Sequence, residues 1–176
     1  QKPQPQQEQK TRRQGTKEVM KKILPLLAAV LLASCGKNVV LDELHTFGDS
    51  RWHMDSVITV VWEPEQSEDP VFMSMYIRHS TEYPYNNLFL FRSIESTQGV
   101  EYTDTVNVAL ADPLGVWNGS GMSNLKTLEI PIGQGAVRFR DDERYTLKIT
   151  QGMRDTVLYG IQDVGVQFEQ VKAAEE

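Results

Sequence analysis

Hydrophobic and polar residues alternate with a period of two through most of the chain after residue 56. Successive side chains of a strand point to opposite faces, so this period indicates strands with one buried face. No window of this region keeps the 3.6-residue period of an amphipathic helix over three turns. The predicted strands cover residues 57–62, 71–78, 88–94, 100–110, 125–132, 145–150 and 164–169.

Short segments rich in proline, glycine and acidic residues separate the predicted strands. Seven or eight short strands in the about 140 residues from Cys35 onward predict an all-β fold. We expect a single antiparallel β-sandwich with jelly-roll-like topology. Leu90, Ile149 and Val166 lie on apolar faces and are predicted to be buried.

The start of the chain has a different pattern, in which two lysines precede an apolar run over residues 23–33. A serine and Cys35, the sole cysteine, follow directly. This order is typical of a secretory signal peptide, and residues 32–35 resemble a bacterial lipobox, whose cysteine is lipidated and becomes the first mature residue. The run is shorter than the about 20 apolar residues that a membrane-spanning helix needs. We expect lipid on Cys35; the alternative is an ordinary cleaved signal with an incidental cysteine.

These patterns divide the chain into four segments. Residues 1–19 are rich in Gln, Lys and Arg and have no hydrophobic periodicity, so we predict that they form no folded structure. A start codon assigned too early would account for such a segment. Residues 20–34 are the predicted lipoprotein signal peptide. Residues 35–45 are predicted to link the lipidated cysteine to the domain, and residues 46–172 to form the single β-sandwich domain.

Charge limits the partners of the mature chain. The full chain has 18 Lys and Arg against 24 Asp and Glu, a net charge of −6. Seven of the basic and two of the acidic residues precede Cys35, so residues 35–176 carry a net charge of −11. Such a surface repels nucleic acid and anionic lipid headgroups. We therefore expect no nucleic-acid partner, and membrane attachment only through the lipid on Cys35.

Candidate catalytic residues are few. The segment 48–50, Gly-Asp-Ser, is similar to the nucleophile block of a class of serine esterases. A serine nucleophile needs a histidine base held by a carboxylate, and in those esterases an Asp-x-x-His near the C-terminus supplies it. Here the last histidine is His79. We interpret the segment as a turn and predict no catalytic residues.

The sequence gives no ligand set for a metal or cofactor. The three histidines, His45, His53 and His79, lack metal-ligand spacing, and we expect them at solvent-exposed or core-edge positions. Acidic clusters at residues 65–69 and 141–143 lack the spacing of a calcium loop and are expected in solvated loops.

Three aromatic residues stand in segments rich in turn-forming residues. Tyr83 and Tyr85 flank Pro84, and Trp117 lies in the segment 112–121. Such rings either pack a corner of the sandwich or form a surface that contacts a protein or a sugar ring. We predict that Tyr83, Tyr85 and Trp117 belong to a binding or corner surface, not to catalysis.

Three blocks in the mature chain carry a family resemblance. They are residues 83–90 (YPYNNLFL), residues 112–121 (DPLGVWNGSG) and residues 145–165, which begin YTLKITQGMRD. With the lipobox and Trp52, these blocks resemble the gliding-motility lipoprotein family GldH over essentially all of the mature chain. The resemblance implies an envelope lipoprotein of Bacteroidetes-type bacteria, used with other lipoproteins in gliding and linked to secretion machinery. That family has no established enzymatic activity and assigns no catalytic residues.

The expected function follows from this resemblance. We expect a non-enzymatic cell-envelope lipoprotein that is an accessory or structural part of a motility- or secretion-associated assembly, with other envelope proteins as partners. Lys37 and Asn38 replace the acidic run that accompanies surface export in that phylum, which implies an outer-membrane position facing the periplasm. The alternative is a glycan-binding sandwich that uses Tyr83, Tyr85 and Trp117. A third hypothesis is a hydrolase.

Three Asp-Ser/Thr-Val triplets, which begin at Asp55, Asp104 and Asp155, resemble the short O-glycosylation motif of the same phylum. The alternative is that each triplet starts or borders a strand. Only an exposed hydroxyl can be modified.

Overall fold

The computed structural model describes residues 38–64 and 69–171, and this part of the chain is almost entirely β-structure. The strands are β1 Val39–Thr46, β2 Arg51–His53, β3 Ile58–Trp62, β4 Val71–Ser80, β5 Asn87–Ser96, β6 Gly99–Ala109, β7 Leu125–Pro131, β8 Tyr145–Gln151, β9 Val157–Tyr159 and β10 Ile161–Gln170. The helical content of the described residues is one 3-10 turn, Gly48–Ser50. None of the described segments is a helix long and apolar enough to cross a membrane.

The strands form two four-stranded antiparallel sheets and one short two-stranded ribbon. The first sheet has the order β1-β10-β4-β7, the second β3-β8-β5-β6, and β2 pairs with β9. Counted in chain order, the eight longer strands lie as 1-8-3-6 and 2-7-4-5, which is the order of a jelly roll. The predicted all-β sandwich is therefore confirmed, with β2 and β9 as two additional short strands.

The core lies between the two sheets and is built by alternation along each strand. On β4, Val71, Met73, Met75 and Ile77 face inward and are at most 3% exposed. The predicted burial of Leu90, Ile149 and Val166 is confirmed, since each is at most 1% exposed. Alternation thus identified the inward faces because each sheet has one solvated face.

The first strand lies where a linker was expected. Residues 39–45 belong to β1, which pairs with β10 from Val39 opposite Glu169 to Thr46 opposite Asp163. The linker prediction is wrong for these residues. β1 shows no period of two because its side chains are exposed except for the half-buried Leu41. Backbone pairing at the edge of a sheet, rather than side-chain burial, holds this strand.

Candidate functional site

Tyr83 lies in the turn that carries the chain from β4 in one sheet to β5 in the other. The Tyr83 side chain is 3% exposed, and its hydroxyl donates a hydrogen bond of 3.2 Å to the backbone oxygen of Asn87. Burial raises the pKa of Tyr83 above its usual range. A Cβ at Gly160, whose φ is +92°, would lie 3.1 Å from the Tyr83 Cα. Tyr83 is therefore packed within the turn between β4 and β5.

Four rings form a continuous row at this end of the sandwich, which we call the aromatic corner: Trp117, His79, Tyr83 and Tyr85. The ring centroids of His79 lie 4.7 Å from Trp117 and 6.1 Å from Tyr83. The Tyr83 and Tyr85 rings are 5.7 Å apart in an edge-to-face arrangement. Trp117 and Tyr85 are half-buried. The corner thus joins the three aromatic residues selected from the sequence through His79.

The segment 110–121 brings Trp117 to the corner. Its backbone folds back through a hydrogen bond of 2.8 Å from the Asn118 N–H to the Leu110 oxygen, and an isolated bridge pairs Trp117 with Ala111. Gly119, at φ +83°, packs against β7, and a Cβ added to Gly119 would lie 2.3 Å from the Thr127 oxygen. Only glycine fits this conformation and approach.

His79 is buried within the aromatic corner. It is 0% exposed, so the expectation of a solvent-exposed or core-edge position is wrong for this histidine, whereas His45 and His53 are exposed. Its Nδ1 lies 2.9 Å from the Ser80 oxygen, and its Nε2 has no hydrogen-bond partner among the described residues. Burial lowers the pKa of His79, opposed by the contact with Ser80 and reinforced by the charge of Lys126.

We expect the stability of the fold to fall as the pH is lowered through about 6.5, the usual pKa of a histidine, because of His79. In this range the unfolded histidine binds a proton that the buried ring does not, so protons favour unfolding. Well above about pH 6.5 neither state is protonated and the effect vanishes. Urea unfolding at closely spaced pH values checks this. His79→Phe keeps a ring and should flatten the dependence; an equal slope in both proteins would contradict the assignment.

A second aromatic group lies next to the corner on the solvent face of β5. Phe89 and Phe91 are 38% and 50% exposed. Together with Tyr85 and Met153 they form a contiguous surface that we call the outer patch. The Phe89 N–H contacts the Met153 sulfur at 3.4 Å, and an added Cβ at Gly152 would lie 2.8 Å from the Phe91 ring. Contiguous exposed apolar side chains mark interaction surfaces more reliably than single ones.

The outer patch has one acidic neighbour. The Tyr85 hydroxyl donates a hydrogen bond of 2.5 Å to Asp155, which raises the pKa of Tyr85. Tyr85, Phe89, Met153 and Asp155 also line a shallow depression of about 560 Å³. The arrangement offers apolar rings with one already-bonded carboxylate, which suits contact with a partner surface more than bond cleavage.

The other residues selected from the sequence take structural positions. The segment 48–50 forms the expected turn, with Asp49 at φ 54°, and the Ser50 hydroxyl donates to Gln162 at 2.6 Å. In the cluster 141–143, Glu143 accepts a 2.7 Å hydrogen bond from the Thr97 N–H. No group of three metal-ligating side chains comes together within the described ranges.

The modification sites remain predictions. Cys35 lies outside the described residues. Ser56, Thr105 and Thr156, the hydroxyl residues of the three triplets, are all exposed. Burial therefore blocks none of the three.

The described residues define a jelly-roll sandwich with an aromatic corner and an exposed aromatic patch. The family model of the GldH lipoprotein matches residues 39–168. The chain therefore belongs to the GldH lipoprotein family, which is not a known enzyme family.

Two relatives show how far the similarity extends. The gliding motility lipoprotein GldH of Flavobacterium johnsoniae is 36% identical over 152 residues, which cover 82% of this chain and 93% of that protein. A GldH homolog of Christiangramia forsetii is 30% identical over 151 residues, which cover 82% of this chain and 91% of that protein. Among solved structures, the dimeric latent PorU of Porphyromonas gingivalis is 9% identical with a TM-score of 0.28, over 78% of this chain and 14% of that one. That likeness is too low to bear on function.

Proposed function

We propose that this protein is a non-enzymatic binding component of a motility-associated assembly in the bacterial cell envelope. Membership of the GldH lipoprotein family supports the setting. The observation that carries a binding role is the outer patch, where two phenylalanines stand in solvent beside Tyr85. Aromatic side chains are enriched in the residues that contribute most to protein–protein affinity.

The proposed position is the periplasmic side of the outer membrane, with lipid on Cys35 as the anchor. The basic and polar residues Lys37 and Asn38, which follow the cysteine after Gly36, support it. The first described strand after the proposed anchor is β1, one of the two edge strands of its sheet.

A glycan is the second candidate for the same surface. The half-buried ring of Tyr85 lies beside Asp155, an arrangement that also suits a sugar ring stacked on an aromatic face. Phe89 and Phe91 favour the protein partner, because their rings carry no polar atom for a sugar hydroxyl.

The two tyrosines of the corner should respond differently to truncation. We expect Tyr85→Ala to leave the melting temperature almost unchanged and to lower partner recovery from crosslinked envelopes about tenfold or more. Tyr83→Ala should instead lower the melting temperature, because it empties a buried site. Tyr85→Phe is the matched control that removes only the bond to Asp155. If Tyr85→Ala lost stability while its folded fraction recovered partners normally, Tyr85 would be a corner residue and not a recognition residue.

A further inference from the structure

The two lateral edges of the sandwich, where the edge strands of the two sheets face one another, differ in the size of the gap between the sheets. On one side β1 and β3 are the edge strands, and the cavity between them is about 60 Å³. On the other side β6 and β7 are the edge strands, and two larger clefts lie along β6. The large cleft, of about 690 Å³, lies beside residues 101–104 of β6, and the small cleft, of about 370 Å³, lies beside residues 106–109. This side, bounded by β6 and β7, is the open side of the sandwich, and its clefts form a groove along β6.

The large cleft has an apolar floor and a charged rim. Met73, Ile94 and Tyr145 form the floor and are at most 5% exposed. At the rim, Arg140 pairs with Glu101 at 2.5 Å, which joins the loop after β7 to β6. Gly133 lines both clefts. A cleft of about 300–1,000 Å³ with few polar groups is the usual size of a binding site.

β6 pairs with β5 on one side, and no described strand pairs with its other side along this groove. The Gly152 N–H donates to the Phe89 oxygen at 2.7 Å, so the backbone groups of Phe89 point toward β8. Backbone groups of successive residues in a strand alternate in direction, so those of Leu88 and Leu90 point toward β6. Those residues stand opposite the even-numbered positions of β6, such as Val106 and Val108. Thr103, Thr105 and Asn107 therefore point their N–H and C=O groups away from β5, at the edge of the sheet.

We propose that β6 receives an extended peptide strand of a partner protein, whose inward side chains enter the two clefts. The proposal rests on the binding role proposed above and assigns it a second surface. The inward-facing residues of β6 are Tyr102 and Asp104 beside the large cleft and Val106 and Val108 beside the small one. Corresponding members of the two pairs are four residues apart, or about 13 Å along a strand, so the clefts would hold side chains i and i+4 of the added strand. Main-chain hydrogen bonds supply affinity in this mode, and the pockets supply specificity.

Charge favours a partner over a second copy of the chain. β6 carries Glu101 and Asp104 and has no Lys or Arg. Residues 35–176 carry a net charge of −11, so two copies repel one another. Both carboxylates are already paired with arginines that line the clefts, Asp104 with Arg92 and Glu101 with Arg140. The occupant is accordingly a segment defined by its alternating apolar residues.

Photo-crosslinking in the source bacterium, with the full lipidated chain, tests the proposal. A photoreactive phenylalanine analogue is placed at Val106, which lines the small cleft, or at Val137, which lines the large cleft. The same analogue at Thr59, exposed on β3, is the control. We expect both groove positions, and not Thr59, to crosslink one partner peptide whose fragments show alternating apolar residues.

Matched substitutions at Thr103 separate edge pairing from simple proximity. Thr103→Pro removes an N–H that does not pair with β5 and blocks the added strand, and proline is tolerated at such edge positions. It should reduce crosslinking about tenfold, whereas Thr103→Val should keep it within about twofold. Val137→Trp, which fills the large cleft, gives the same test if Thr103→Pro does not fold.

Three results would overturn the proposal: no crosslink at either groove position, a crosslink to a second copy of the chain, or a crosslink to lipid or glycan. An analogue placed at Phe89 in the outer patch distinguishes failure of this proposal from failure of the proposed function. Partner crosslinks at Phe89 without any in the groove would leave the outer patch as the binding surface and remove β6 from it. Absence of protein crosslinks at both surfaces would count against both.

Discussion

Asp104→Ala should lower the free energy of unfolding by about 3 kcal/mol. Arg92, 4% exposed on β5, donates to both Asp104 oxygens, at 2.8 and 2.5 Å. Its third contact, of 2.9 Å, reaches the Pro131 oxygen at the end of β7 in the other sheet. Without the carboxylate a guanidinium stays buried and unpaired, which is costly. The value lies at the low end of the usual range because the Asp104 side chain is 26% exposed.

Urea unfolding of the non-lipidated chain measures this loss. Asp104→Asn, which keeps one acceptor for Arg92, should lose less stability than Asp104→Ala. Arg144→Ala breaks the exposed pair with Glu63, whose side chains are 65% and 57% exposed, and should change stability much less. A loss for Asp104→Ala no larger than that for Arg144→Ala would show that the Arg92 pair does not stabilise the open side of the sandwich.

Cys35→Ser should release the protein from the membrane fraction. The order of basic, apolar and small residues that ends at Cys35 makes it the predicted lipid attachment site, and the acidic surface of the mature chain offers no other attraction to anionic headgroups. Fractionation and gel mobility check this, with Ser34→Ala as a control that keeps a small residue before the cysteine. A Cys35→Ser variant that stays membrane-bound with unchanged mobility would contradict lipidation.

The strands that bury one face were predictable from the sequence, and β1, at one edge of the first sheet, was not. β4, β5, β8 and β10 alternate because their inward residues enter the core between two sheets. β1 buries almost nothing and is held by backbone pairing, which leaves no period in the side chains. A period of two therefore finds strands with one buried face, including the edge strands β3, β6 and β7, and misses a strand whose side chains are almost all exposed.

The candidate site was predictable only in part, because contacts between distant segments build it. Tyr83 and Tyr85 stand out beside Pro84, yet the sequence does not show that Trp117 meets them through His79. Phe89 and Phe91 alternate with buried leucines, a signal that their rings face solvent. The clefts beside β6 depend on the separation of two sheets, which no local pattern encodes.

Partner recovery from the native envelope tests the central claim that this protein works by binding. The full lipidated chain, its Phe91→Asp variant and the control Thr59→Asp on the same face of the sheet are crosslinked in cells and purified, and the recovered proteins are quantified. We predict a reproducible set of envelope proteins with the wild-type chain and with Thr59→Asp, and recovery reduced about tenfold with Phe91→Asp at unchanged stability. Equal recovery with all three chains, together with turnover of an ester, peptide or glycoside by the purified domain that a single serine or carboxylate substitution abolishes, would contradict the account.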